Sequence, residues 1–363
     1  MGIKNLNNLI EEFTNFDPNN KKDLQDFSGK TFAIDANLFI YKFLYANGNH
    51  INGLFFMINK LSKFNIKPIF VFDGCAPEEK KNTINNRKKV KKKIITQVIN
   101  LKINLNIETN PQKKNVLQKK ILNLEKRLVY VDKNVLLSSK KLLDLMNIVH
   151  LQAETEAEHL CSNLSRIGKV DGVISDDTDS IACGSKIVLR NFTNKYDFIS
   201  YYNLDEILYD LDLKYDEFLD LCILLGTDYN KKIRNISFKR AYELIREYRS
   251  LNNIQKNTNY NIVYNYEKIR QLFKSSALPP DILTKLQSHK LSYTTNNMDH
   301  LIKFLENNST IKKKTFLYRL KKIYKVDNDR EMLRMGDIKS QFNMFDSEYK
   351  ISSSNIQKCG SRI

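Results

Sequence analysis

"VDGVISDDTDSIACGS", residues 170–185, opens with an apolar run of strand length and then sets Asp176, Asp177 and Asp179 within four positions. Two other segments have the same form: "TFAIDAN" (31–37) reaches Asp35, and "PIFVFDG" (68–74) reaches Asp73. "SKIVLR" (185–190) reads as a further strand. Near-continuous apolar strands separated by helical patterns predict an α/β fold, a mostly parallel central sheet covered by helices on both faces. In open sheets of this kind the site lies beyond the carboxyl ends of the strands. Each of these aspartates falls there.

The 363-residue chain carries 59 Lys+Arg against 41 Asp+Glu, a formal charge of +18. Such an excess favours a polyanionic partner, nucleic acid or an anionic membrane. The membrane is the weaker of the two. No apolar run reaches the length of a spanning helix, and "MGIKNLNNLIEEF" lacks both the apolar core of a signal peptide and, with Leu6 at the sixth position, the Ser or Thr of a myristoylation motif. The expectation is a soluble intracellular protein. Five widely spaced cysteines (Cys75, Cys161, Cys183, Cys222, Cys359) without a CxxC pair read as small core residues rather than a disulfide framework or a zinc site. The histidines, His50, His150, His159, His289 and His300, have no metal-ligand spacing and read as surface or packing residues. Chemistry must then come from carboxylates and cations.

Residues 80–127 are rich in Lys and Arg, with one break at Asn110-Pro111. Alone, so basic a stretch is as readily a solvated face; beside a carboxylate cluster, phosphate binding is the better reading. Helical spacing recurs in 141–148, 156–167, 216–226 and 238–248, whereas the Asn-rich 251–268 reads as a loop and 351–363 as a loose tail. Further carboxylates stand in "AETEAEH" (Glu154, Glu156, Glu158) and "LLGTDY" (Asp228). Taken singly, each is as easily a cap or a turn. Brought to one sheet edge they repel strongly and require cations. All-oxygen ligands select hard ions, Mg²⁺ or Mn²⁺, and two such ions roughly 3.5 to 4 Å apart suit in-line phosphoryl displacement. The aspartates would hold metals, and the lysines the phosphate backbone.

At these residues the chain resembles the XPG/flap-endonuclease family of structure-specific nucleases. The resemblance runs from "MGIKNL" through "IDANLFIYKFL", "FDGCAPEEKK", "EAE", "DTD", "LLGTDY" and "KRAYELI", over roughly residues 1–250 and more loosely to 325. It implies a PIN-like nuclease fold, a basic helical arch at 80–135 and a helix-two-turn-helix within 216–325, with an N-terminal nuclease region at 1–110, an internal one at 136–235 and a flexible tail at 346–363. It also implies that Asp35, Asp73, Glu156 and Glu158 hold one Mg²⁺, that Asp177, Asp179 and Asp228 hold or orient a second, and that Glu158 lies between them. Glu154 and Asp176 fall outside the pattern. Lys80 and Arg87 match the pair that steadies the scissile phosphate, and Tyr41 an aromatic that stacks on a base. Gly2 would approach the DNA, Lys88 and Lys92, with Lys89, Lys91 and Lys93, would line the arch, and Lys239 and Arg240 would grip duplex phosphates.

The chain departs from the family where Asn235-Ile236-Ser237 replaces a Gly-Ile-Gly turn, which puts a monovalent-ion site there in doubt. "QFNMFDSE" retains Gln341 and Met344 of a sliding-clamp box but not its aromatic pair. The expected activity is two-metal endonucleolytic cleavage at DNA 5′ flaps or junctions by a nuclear monomer, the nucleus being a host's if the chain is viral. A 5′→3′ exonuclease, a junction resolvase and a catalytically silent DNA-binding scaffold are the alternatives. A haloacid-type phosphatase would use Asp-x-Asp but leaves the Glu-Ala-Glu helix and the basic arch unexplained.

Overall fold

The computed structural model describes residues 2–18, 21–233, 235–262, 265–274, 278, 280–288 and 298–324. The clamp-like "QFNMFDSE" and the tail at 346–363 lie outside them. Seven strands are present among these residues: β1 (Lys21–Asp23), β2 (Thr31–Asp35), β3 (Lys67–Phe72), β4 (His150–Gln152), β5 (Gly172–Ile174), β6 (Ile187–Arg190) and β7 (Phe198–Asn203). They form one sheet in the order β1-β7-β6-β5-β2-β3-β4. The β2–β3, β2–β5, β3–β4 and β5–β6 pairs are parallel, while β7 runs antiparallel to β6 and to β1.

Alternation along the central strands sorts their side chains between two cores. Phe32, Ile34, Phe70, Phe72 and Ile174 enter one, with helices α2 (Ala36–Asn47), α3 (His50–Lys63) and others yet to be placed. Ala33, Ile69, Val71 and Val173 enter the other. The sheet is thus covered on both faces, as its continuous apolar strands require.

The remaining helices in chain order, after α1 (Leu6–Phe13), α2 and α3, are α4 (Lys81–Ile107), α5 (Pro111–Lys126), α6 (Lys133–Leu145), α7 (Ala157–Arg166), α8 (Asp179–Ala182), α9 (Leu204–Leu211), α10 (Tyr215–Leu225), α11 (Phe238–Tyr248), α12 (Leu251–Asn257), α13 (Tyr266–Lys274), α14 (Pro280–Ser288), α15 (Met298–Asn308) and α16 (Lys313–Tyr324). α6, α15 and α16 share the core of α2 and α3, and α7 covers the opposite face. α1 and α8 through α13 build a third core around Phe218, Leu221 and Leu244.

The basic segment leaves the sheet after β3 and returns at β4. Asn110 caps α5 by accepting from Gln112 N and Lys113 N, with Pro111 in the first turn, so the expected break is a helical hairpin tip. Ile94, Val98 and Ile121 form the hairpin's own small core.

Two expectations need correction. The Asn-rich stretch at 251–268 is helical over Leu251–Asn257, because Ser250 accepts from Asn253 N while Leu251 and Ile254 bury one face; asparagine content concealed a cap and an i, i+3 apolar pair. Cysteines 161, 183 and 222 are free and buried, but Cys75 is exposed, so it is not a core residue. No helix among the described residues is long and apolar enough to cross a membrane.

Candidate active site

The strand ends converge as the sequence predicts. β2 and β3 pair with Asp35 opposite Val71, so Asp73 projects two residues past the register of Asp35. Asp35 caps α2 through Leu38 N at 3.1 Å, and Asp73 Oδ1 accepts from Ala157 N at 2.8 Å, at the start of the helix that carries Glu158. Each aspartate therefore satisfies one helix N-terminus while facing the site. Gly74 allows this approach, since a Cβ there would overlap the carbonyls of Ala153 and Glu154.

A cleft of about 1230 Å³ opens at this edge. Asp35, Asp73, Glu156, Glu158, Asp177 and Asp228 line it together with Lys80, Arg87 and Tyr41. Asp179 sits behind the lining, 1% exposed, and both of its carboxylate oxygens are buried without a hydrogen-bond partner. Gly2 lies against the same cluster at φ +94°; a Cβ on it would overlap Asp177 Oδ1 and Thr178 Oγ1 and meet Asp179 Oδ1 at 3.0 Å. Glu154 and Asp176 stand apart from this lining. Glu154 is exposed, and Asp176 is occupied by Lys42 Nζ at 2.6 Å and Asn191 N at 2.7 Å.

Electrostatics follow from this crowding. Burial, then the charges of Asp73 and Asp177, raise the Asp35 pKa well above the ordinary carboxylate value despite the Leu38 N–H. Burial raises Glu158 likewise, with Glu156 and Asp35 adding to it against Lys80. Asp179 is raised by burial, Asp177 and Asp228, and Asp73 and Asp177 are raised mainly by burial. Protonation or nearby cations relieve such crowding. One such cation is built in: Lys80, 9% exposed, ion-pairs with Glu156 and lies 3.7 Å from Glu158 and 3.5 Å from Asp228. Burial alone would depress its pKa, but Glu158, Glu156 and Asp228 hold it above the ordinary lysine value. Arg87 Nη2 reaches Asp228 at 2.6 Å.

Among the described residues, no group of three or more acidic, His or Cys side chains is closed to metal-ligand spacing; three of the carboxylates converge instead on the Lys80 ammonium. The donor set nonetheless fits hard divalent cations. It is all oxygen, and Asp179 presents two buried acceptors that nothing else satisfies.

The arch residues divide by helical phase. Thr83, Arg87, Lys91 and Ile94 of α4 line the cleft, as does Lys80 just before the helix, whereas Lys88 and Lys92 do not line it and are exposed. Lys89 and Lys93 are exposed as well, and Lys91 stands 5.3 Å from the Tyr130 ring centroid. Lys239 pairs with Glu12, and Arg240 Nη1 lies 3.0 Å from Glu243 Oε2, so both stand outside the cleft on α11 with acidic neighbours. In the atypical turn, Asn235 adopts φ 62° and Ser237 caps α11 through Arg240 N. Asparagine tolerates the left-handed conformation that glycine would supply.

Several lining residues had no place in the sequence reading. Tyr45 stacks on Tyr41 with centroids 6.4 Å apart, a pairing visible in their i, i+4 spacing. Lys4 adds positive charge from the N-terminal segment, for which no local signal exists. Tyr229, beside Asp228, donates to Glu156 Oε2 at 2.5 Å and lies 3.0 Å from His159 Nε2.

Comparison with known proteins places this geometry. Residues 1–94 match the XPG N-terminal domain and residues 147–228 the XPG I-region. Flap endonuclease 1 of Enterocytozoon bieneusi is 35% identical over 289 residues, 75% of this chain and 77% of the relative. That of Branchiostoma floridae is 34% identical over 372 residues, 96% and 92% of the two chains. Among solved structures, flap endonuclease-1 from Methanococcus jannaschii superposes with a TM-score of 0.63 at 28% identity, covering 86% of this chain and 98% of that one. Human GEN1 bound to Holliday junction DNA shares the fold, with a TM-score of 0.61 at 20% identity over 88% and 76% of the chains. Carboxylates gathered at the strand ends, a basic hairpin over them and relatives matched along most of their length lead to one assignment: the chain belongs to the XPG/flap-endonuclease family of structure-specific DNA endonucleases.

Proposed function

We propose that this protein hydrolyses DNA phosphodiester bonds at 5′ flaps or junctions with two Mg²⁺ ions, Mn²⁺ being able to replace them. The observation that carries the proposal is the meeting, in one cleft, of Asp35, Asp73, Glu156, Glu158, Asp177 and Asp228 with Lys80 and Arg87 beneath a hairpin of basic helices. Asp35, Asp73, Glu156 and Glu158 would hold one ion, and Asp177, Asp179 and Asp228 the other, with Glu158 between. When bound, the ions supply an activated water and stabilise charge on the attacking and leaving oxygens.

The chain's own residues do the rest. Lys80 and Arg87 both contact Asp228, so their positive charge stands at the wall where a scissile phosphate meets the carboxylates. Tyr41 and Tyr45 offer stacked rings to an unpaired base, a contact tolerant of sequence. Gly2, lacking a Cβ, packs its own backbone directly against Asp177 and Thr178, and would approach the DNA from there. Lys88 and Lys92, exposed on α4, would meet phosphates along the arch, and Lys239 and Arg240, on α11, would grip those of the duplex. Action as a monomer in the nucleus belongs to the same proposal.

The test is strand-resolved cleavage of a 5′-end-labelled double-flap DNA with Mg²⁺, beside Asp177→Ala and a blunt duplex. One product cut at the flap base, absent in the variant although DNA is still bound, is the expected result. A ladder from the duplex would reassign the activity to an exonuclease. Binding without cleavage would point to a scaffold.

A further inference from the structure

Glu156 has each carboxylate oxygen assigned to a different element. Oε1 pairs with Lys80, and Oε2 accepts from the Tyr229 hydroxyl at 2.5 Å. A tyrosine hydroxyl has one hydrogen to donate. With that hydrogen committed to Glu156, the contact between Tyr229 Oη and His159 Nε2 at 3.0 Å requires His159 to donate from Nε2. The result is a directed relay, His159 to Tyr229 to Glu156, buried between the start of α7 and the loop after α10. Its rings are fixed from a third side by the fully buried Phe273 of α13, with centroids 5.4 Å from Tyr229 and 6.0 Å from His159.

We infer that Tyr229 and His159 are positioning residues that set the orientation of the Glu156 carboxylate toward a divalent cation and tie it to the loop carrying Asp228. The inference rests on the reading of Glu156 as a metal ligand. Hydrogen-bond partners of ligating groups fix ligand geometry and commonly govern affinity by about ten-fold or more.

The experiment measures Mn²⁺ binding to the full chain without DNA, from the free-Mn²⁺ electron paramagnetic resonance signal, for wild type, Glu156→Gln, Tyr229→Phe, His159→Leu and His159→Gln. Glu156→Gln should weaken binding most. Tyr229→Phe and His159→Leu should each weaken it about ten-fold, and His159→Gln, which keeps an N–H donor, should restore most of it. KM for flap DNA should stay unchanged while the Mg²⁺ concentration for half-maximal cleavage rises. Unaltered Mn²⁺ binding in Glu156→Gln would remove the ligand reading itself. Weakened binding there, with Tyr229→Phe and both His159 variants at wild-type affinity, would overturn the positioning inference alone. Thermal melting curves identify any variant that fails to fold, and Tyr229→Phe, which removes one oxygen, keeps the test decisive if His159→Leu does.

Discussion

Replacing Lys80 by Met is the perturbation whose outcome is most tightly bound to the site's geometry. Methionine preserves an unbranched apolar stem of similar length but removes the ammonium that Glu156, Glu158 and Asp228 share. Those side chains are only 7, 8 and 16% exposed, so water cannot take over as counter-charge. Removing one member of a buried charge cluster costs about 3–5 kcal/mol. A divalent cation that binds only the folded state returns about 2.7 kcal/mol at a hundred-fold excess over its dissociation constant. In the variant it would also no longer compete with an ammonium for the same oxygens. Urea unfolding followed by circular dichroism, with chelator and with Mg²⁺, should therefore show a deficit of about 3 kcal/mol without metal and a much smaller one with it. An equal deficit in both conditions would refute the claim that lysine and metal share one set of carboxylates.

Gly2→Ala combines left-handed strain of about 1–2 kcal/mol with displacement of Thr178, whose Oγ1 accepts from Ile3 N at 2.8 Å. The expected outcome is a lower melting temperature together with slower flap cleavage, and wild-type values of both would contradict the close packing against Asp177. Arg270→Ala strands the 3%-exposed carboxylate of Asp220, which Arg270 Nε holds at 2.5 Å from α13; a loss of about 3 kcal/mol in denaturant unfolding is expected. Burial lowers the His50 pKa below 6.5, with Asp132 opposing the shift, so as pH falls the unfolded chain binds its proton first. Wild type should thus lose stability relative to His50→Gln, which keeps an N–H for Ser138 Oγ, as pH drops from neutral through 6.5, and a pH-independent difference would refute this.

The strands that carry the site were legible because burial on both faces leaves an unbroken apolar run, and Asp35, Asp73 and Asp177 mark where each ends. β1, three exposed residues of sequence Lys-Lys-Asp, has no such run; it exists through pairing with β7. β4 is as short. The seven carboxylates were legible from their joint spacing, and Lys80 from its match to the family's basic pair; its burial as the counter-ion of Glu156, Glu158 and Asp228 was not, since those partners lie far away in sequence. Along α4, positions 83, 87, 91 and 94 recur at helical spacing and line the cleft, whereas 88 and 92 do not belong to that series. His159 and Tyr229 acquire their role only from partners about seventy residues away in sequence.

The two halves of the sheet are shuffled, with β1, β2 and β3 from one side of the hairpin tip and β4 through β7 from the other interleaved as β1-β7-β6-β5-β2-β3-β4. The tip itself, Thr109 and Asn110, is exposed and takes part in no strand pairing. Cutting the chain there severs no ladder, yet neither fragment keeps a complete set of neighbours or of acidic groups: Asp35 and Asp73 go with one, Glu156, Glu158, Asp177, Asp179 and Asp228 with the other. Two co-expressed pieces would have to reassemble to cut DNA at all. The topology thus makes this nuclease a natural split reporter, in which cleavage itself signals that two tethered partners have met.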